Sequence, residues 1–128
     1  DQGIDWLGND LQREEVNRLE TGRRYGWPYV FEDGKRNPQD YPPGGVTMAE
    51  WAAASTAPVV THVAHSAGMQ LRFHPGGGAM GDDVAGDAFV ALRGSWNRKP
   101  AVGYELARIR FDAAGRARRV EPFVRGFL

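Results

Sequence analysis

The chain has 128 residues, and its 16 basic residues are balanced by 16 acidic ones, so its formal net charge is zero. A chain without excess positive charge lacks the electrostatic footprint of a protein that binds nucleic acid or anionic membranes. The sequence has no cysteine, which excludes disulfides and cysteine-bound zinc. It also has no apolar run of the roughly 20 residues that span a bilayer. From the charge balance and the missing apolar run we expect neither a nucleic-acid partner nor membrane insertion.

The first segments of the chain are rich in turn formers and oxygen donors. Residues 3–10 combine Gly, Asp and Asn, and such a loop either satisfies its own backbone through Asx turns or holds a hard cation such as calcium. Glu14 and Glu15 follow. Adjacent residues of a strand or helix point in different directions, which favours structural roles for these two over an acid–base pair.

The middle of the chain predicts little regular structure. Residues 32–47 are rich in Pro and Gly, which is typical of a loop. A brief helical turn is predicted over 49–54 and an extended segment over 56–63. Because His62 and His65 lie among β-branched residues, which disfavour a helix, we do not expect them to chelate zinc at helical spacing.

The second half predicts a meander of antiparallel strands. The residues 112–115 have the chemistry of a hairpin turn, with Gly115 supplying a positive φ. Consecutive antiparallel strands with short turns form the blade of a β-propeller, so the predicted fold class is all-β. The four predicted strands are 69–73, 88–93, 104–111 and 116–124.

The strand over 88–93 is apolar at successive positions, which predicts burial on both faces. Gly94 ends it, and Trp96, Asn97 and Arg98 follow. Arg pairs with carboxylates, Trp offers a stacking face, and Asn donates and accepts hydrogen bonds, so the segment suits a planar anionic ligand. The alternative is a loop whose Trp covers the core edge while Arg98 is solvated.

Several motifs occur in an order that resembles the soluble quinoprotein glucose/sorbosone dehydrogenase family, most closely its sorbosone dehydrogenase-like members. The resemblance covers nearly the whole chain. The motifs are GIDWLG at 3–8, EEVN at 14–17, YGWP at 25–28, AHSA at 64–67, and GDAFV at 86–90 with GSWNR at 94–98.

The resemblance implies a periplasmic or secreted protein that forms part of a six-bladed β-propeller. The chain would supply about two blades, with a blade and loop region over 1–63 and a four-stranded blade over 64–128. Members of the family bind pyrroloquinoline quinone (PQQ) and calcium, pass hydride from a sugar to the quinone, and deliver the electrons to an external acceptor. Because a full propeller is several times longer, this chain resembles a fragment, and the family's catalytic His lies upstream of it. Two blades cannot close the ring, so the chain is expected to be inactive alone.

The resemblance also assigns residues to the cofactors. Gly8 and Asn9, with Asp10 beside them, correspond to the loop whose carbonyl oxygens bind calcium. The cofactor-binding residues implied are His65 and Ser66 in the pocket wall, Arg93 or Arg98 for the cofactor carboxylates, and their neighbours Trp96 and Asn97. Two other functions stay open, namely a non-catalytic sugar-binding or scaffold propeller and a metal-dependent hydrolase of the gluconolactonase kind.

Overall fold

The computed structural model describes residues 3–128, and its regular structure is almost entirely antiparallel β. One short helix, α1, and two single 3₁₀ turns interrupt the strands. The elements are the 3₁₀ turn Asp5–Leu7, β1 (Glu14–Val16), β2 (Val30–Phe31), β3 (Lys35–Arg36), α1 (Met48–Ala53), β4 (Val60–His62), β5 (Gly68–Phe73), the 3₁₀ turn Gly78–Met80, β6 (Ala88–Leu92), β7 (Glu105–Phe111) and β8 (Ala117–Val124).

The strands β5 to β8 form a four-stranded antiparallel sheet in sequence order. Each of the four predicted strands is confirmed to within one residue at either end. The turn between β7 and β8 forms as expected, because the Asp112 carboxylate accepts hydrogen bonds from the backbone N–H groups of Ala114 and Arg116, both at 2.9 Å. Gly115 adopts the positive φ of +72° that the turn requires.

The core of this sheet lies on one of its faces. Ala88, Ala107 and Ile109 are completely buried, and Val90 is nearly so. Val90 lies directly opposite Ala107, and Ala88 opposite Ile109, so the apolar side chains of neighbouring strands stack on the same face. Burying these side chains against each other is the main stabilisation of the sheet.

The prediction that β6 is buried on both faces is wrong. Ala91 is exposed and Phe89 is only half-buried. Phe89 contacts the ring of Phe123 at 4.8 Å between centroids, but its direct partner on β7 is Arg108. The second face is therefore partly polar, since Phe89 lies opposite a charged residue of β7 while Ala91 lies opposite Leu106.

The chain divides into two compact units. One comprises the residues up to Glu14 together with His62–Leu128, and the other comprises Glu15–Thr61. The segment up to Glu14 thus belongs with the four-stranded sheet, whereas the expected division placed it with residues 1–63. The family resemblance suggested that division, but the long-range contacts of the N-terminal loop determine the unit to which it belongs.

In the unit Glu15–Thr61, the YGWP motif is part of the packing around α1. The helix begins with a capping box in which Thr47 and Glu50 exchange hydrogen bonds. Trp51 donates its indole N–H to the carbonyl of Gly26 at 2.8 Å and packs edge-on against Tyr29 at 4.7 Å. The brief predicted helix is confirmed, and none of the helices in residues 3–128 is long and apolar enough to cross a membrane.

Asn37 fixes the loop that follows YGWP. It is completely buried, and its amide donates to the carbonyl of Pro28 at 2.8 Å and to Asp40 at 3.0 Å. Its own backbone N–H donates to the carbonyl of Tyr29 at 2.8 Å. A buried amide satisfied in this way holds the surrounding backbone in one conformation.

Candidate functional site

His65 lies at the centre of a polar network in the unit that contains β5 to β8. The residue adopts a φ of +68° between β4 and β5, and it is 7% exposed. Its Nε2 lies 2.8 Å from the carbonyl oxygen of Gly8, and its Nδ1 lies 3.3 Å from a carboxylate oxygen of Asp5. Because both ring nitrogens are engaged within the chain, the imidazole positions the N-terminal loop.

Arg98 binds the same loop through its guanidinium group. Nη1 donates to the backbone carbonyls of Asn9 and Ala64, the latter at 3.1 Å, and Nη2 lies 3.3 Å from a carboxylate oxygen of Asp10. The side chain is only 12% exposed. In return, Asn9 donates its side-chain amide to the carbonyl of Lys99 at 2.9 Å. The N-terminal loop therefore accepts hydrogen bonds from Arg98 of the GSWNR segment and donates one to Lys99, which follows that segment.

Asn97 adds a contact to this network, since its amide donates to the Asp5 carboxylate at 3.2 Å. The structure thus brings together six of the residues predicted from the sequence around one loop, and it adds Asp5. The sequence reasoning did not single out Asp5, although its place in the GIDWLG motif was a signal. The six are Gly8, Asn9, Asp10, His65, Asn97 and Arg98.

Ser66 is completely buried and has a structural role. Its hydroxyl donates to the carbonyl of Val63 at 2.8 Å, and its carbonyl accepts the N–H of Gly94 at 2.9 Å. Gly103 packs so closely that a Cβ there would lie 2.6 Å from the Cα of Ser66. The hydroxyl therefore points into the packed interior, where it has no access to a ligand.

Arg93 and Trp96 are the two predicted cofactor residues whose side chains are exposed and make no hydrogen bond or ion pair within residues 3–128, whereas the exposed Asn97 donates to Asp5. Arg93 is exposed, and its guanidinium has no hydrogen bond or ion pair with the other residues of 3–128. Trp96 is 71% exposed. The backbone beneath them is fixed, because the N–H of Arg93 donates to the carbonyl of Ala67 at 3.0 Å. The end of β6 thus presents a free cation and an aromatic face on a rigid support.

The loop Gly8–Asp10 does not fit a calcium ion in this arrangement. The carbonyls of Gly8 and Asn9 already accept hydrogen bonds, and the donor to Asn9 is the positively charged Arg98. Two unit charges 4 Å apart interact with about 4 kcal/mol near a protein surface, and a divalent ion would be repelled about twice as strongly. Within the described part of the chain, no three His, Asp or Glu side chains gather in a way that would hold a metal.

Glu14 is a buried carboxyl group near His65. It is 4% exposed, and neither of its carboxylate oxygens has a hydrogen bond of normal geometry. Burial raises the pKa of Glu14 above its ordinary value of 4.5, and the nearby N–H groups of Ala67 and Gly68 offset this only in part. Folding therefore shifts the protonation equilibrium of this side chain towards its protonated form.

We expect Glu14→Gln to raise the free energy of unfolding at neutral pH. Since the pKa is raised on folding, the favourable contribution of Glu14 is present below pH 4.5 and is lost as the pH rises through the folded-state pKa. Gln imitates the protonated form at every pH, so its advantage grows with pH. Urea unfolding at about pH 4 and about pH 7.5 measures this. A destabilised Glu14→Gln at the higher pH, relative to the exposed control Glu20→Gln, would contradict the expectation.

A second polar cluster lines a pocket of about 420 Å³ in the same unit. Glu105 binds His62 Nε2 at 3.2 Å through one oxygen and Arg125 Nε at 3.0 Å through the other. Burial lowers the pKa of His62 below 6.5, and the Glu105 carboxylate opposes this shift only in part. The pocket is therefore close to neutral in charge. No local spacing in the sequence pointed to it, because His62 and Glu105 are 43 residues apart.

Comparison with known proteins gives three findings. A family model described as TrAA12-like matches residues 12–123. An uncharacterized protein of Borreliella burgdorferi is 30% identical over 130 residues, which are 100% of this chain and 33% of that protein. The holo form of the PQQ domain of pyranose dehydrogenase from Coprinopsis cinerea is 21% identical with a TM-score of 0.45, over 87% of this chain and 34% of that structure. The chain spans about a third of the length of these relatives.

Proposed function

The chain belongs to the TrAA12-like family, and we propose that it is part of a quinone-dependent dehydrogenase that oxidises sugars of the aldose or sorbosone type. The family match supports a sugar-oxidising quinoprotein context. The whole reaction requires more chain than these 128 residues, which cover a third of the length of the Borreliella relative. The activity is therefore proposed for the protein that contains this chain.

The observation that carries the proposal is the pair of free side chains at the end of β6. PQQ is a planar aromatic tricarboxylate, and an unpaired guanidinium and an exposed indole three residues apart in the chain suit its charge and its shape. Arg93 would bind a cofactor carboxylate through charge-assisted hydrogen bonds, and Trp96 would stack on the ring system. Bound PQQ would supply the two-electron oxidant for the sugar.

Three other predicted cofactor residues hold the N-terminal loop and do not have free polar groups. His65, Asn97 and Arg98 use their polar atoms on the loop Asp5–Asp10. Asn97 and Arg98 thereby hold the segment that carries Trp96, so a ligand would meet a backbone that is already ordered, which lowers the entropic cost of binding. With both nitrogens engaged, His65 is not placed to accept a proton from the sugar, and we assign the base to the part of the protein outside this chain.

The four-stranded sheet is, in this proposal, one blade of a six-bladed propeller in a periplasmic or secreted protein. Its antiparallel meander has the strand order of a propeller blade. The electrons would leave to an external acceptor.

Reduction of an artificial electron acceptor tests the function. The protein that contains this chain is expected to reduce the acceptor, a redox dye, with an aldose or pyranose only after PQQ is added. The isolated 128-residue chain is expected to give no turnover. Dye reduction that is indifferent to PQQ would contradict the proposal. Lactone hydrolysis without an acceptor would indicate a hydrolase, and sugar binding without quinone binding would indicate a non-catalytic module.

A further inference from the structure

We propose that the guanidinium of Arg98 is the internal cation of the loop Gly8–Asp10 and takes the place of a calcium ion there, so that the loop is ordered without metal. The inference rests on contacts within one compact unit. It goes beyond the proposed function, because it holds whether or not the protein binds a quinone.

The groups around Arg98 are the kind that calcium selects. Two of them are backbone carbonyls, from Asn9 and Ala64, and the third is the Asp10 carboxylate. Calcium takes carbonyl and carboxylate oxygens in irregular loops of this type. Here Nη1 meets both carbonyls and Nη2 meets the carboxylate, so one positive charge faces all three oxygen ligands.

The position of the guanidinium is defined by these oxygens. Arg98 is largely buried, and its Nε has no hydrogen-bond partner among the residues that the structure describes. A buried N–H without a partner is costly, so the side chain is not placed to satisfy all of its own donors. It is placed where Nη1 and Nη2 donate hydrogen bonds to the oxygen atoms of Asn9 and Asp10.

The rest of the loop is also held by hydrogen bonds to other parts of the chain. Gly8 presents its carbonyl to His65, and Asn9 donates its amide to Lys99. Each residue of the loop thus has a hydrogen-bond partner within the chain. A calcium ion would need to expel Arg98 from an 88% buried position before it could reach the Asn9 carbonyl, since the Arg98 side chain is 12% exposed.

Thermal unfolding with calcium or with a chelator tests the inference. We expect the melting temperature of the wild-type chain to be the same in EGTA and in ~10 mM CaCl₂, which exceeds the weakest calcium affinities of protein sites. We expect Arg98→Ala in EGTA to melt on the order of 5 to 10 °C lower, because carbonyls and a carboxylate lose their cation. Calcium should raise the melting temperature of Arg98→Ala, since the ion can then enter the vacated place.

Two further variants keep the test decisive if Arg98→Ala does not fold. Arg98→Lys retains the positive charge and is expected to melt above Arg98→Met, which retains only the apolar stem. The control Arg116→Ala removes an exposed ion pair with Asp112 and should change neither the melting temperature nor its response to calcium. A calcium-stabilised wild type, an Arg98→Ala that ignores calcium, or equal melting of the Lys and Met variants would overturn the inference.

Discussion

Gly94→Ala is expected to lower the free energy of unfolding by about 3 kcal/mol, the sum of a left-handed backbone and an overpacked contact. Gly94 has a φ of +92°, and a Cβ there would lie 2.5 Å from the ring of Tyr104. Tyr104 cannot easily withdraw, because its hydroxyl donates to the carbonyl of Ser95. The substitution should also disturb the proposed cofactor surface, since Gly94 sets the direction between Arg93 and Trp96.

Gly86→Ala is the matched control for this prediction. Gly86 precedes β6 as Gly94 follows it, and its φ of +78° is similar, but nothing lies within 4 Å of the position of its Cβ. Its cost should be the backbone strain alone, about 1 to 2 kcal/mol. Urea unfolding of the two variants separates the two terms. Equal losses for Gly86→Ala and Gly94→Ala would show that the contact with Tyr104 has no energetic weight.

Asp87→Ala is expected to cost about 3 to 5 kcal/mol, because it leaves one member of a buried ion pair without its partner. The Asp87 carboxylate lies 2.5 Å from Nη2 and 2.6 Å from Nε of Arg108. Its other oxygen accepts the backbone N–H of Phe111 at 3.0 Å. The side chain therefore fastens the beginning of β6 to the end of β7.

Arg119→Ala is the control for an exposed ion pair on the same sheet. Arg119 lies 2.8 Å from Glu121, but its side chain is 60% exposed, so the pair should contribute at most about 1 kcal/mol. Denaturant unfolding of both variants measures the difference. If Asp87→Ala were no more destabilised than Arg119→Ala, the buried ion pair would not contribute more to the stability of the sheet than an exposed one.

The regular structure of the second half could be predicted closely from the sequence. Alternating residues and the Asp112–Gly115 turn define a local pattern, and a meander needs only local pairing of successive strands. The burial of β6 was predicted wrongly, because the residue opposite Phe89 is Arg108 and no pattern within β6 contains that information. The residues of a segment predict that it forms a strand, whereas the burial of its side chains depends on the residues of the neighbouring strands.

The candidate site was predicted in part. The motifs placed His65 and Arg98 in it, but the sequence did not show that their polar atoms would be used within the chain. Arg98 contacts Asn9 across 89 residues, and His65 contacts Gly8 across 57 residues, so no local spacing relates them. The structure was needed to distinguish His65 and Arg98, which hold the loop Gly8–Asp10, from Arg93, whose side chain is free to bind a ligand.

The affinity of the protein for PQQ tests the central claim, that the free side chains at the end of β6 bind a quinone. Isothermal titration calorimetry of the protein that contains this chain should give an Arg93→Ala variant whose Kd for PQQ is roughly 10 to 100 times that of the wild type, as expected for a lost charge-assisted hydrogen bond. Arg116→Ala, which removes an equal charge from the β7–β8 turn, should leave the Kd unchanged. An unaltered Kd in Arg93→Ala, or a wild type that does not bind PQQ, would contradict the claim.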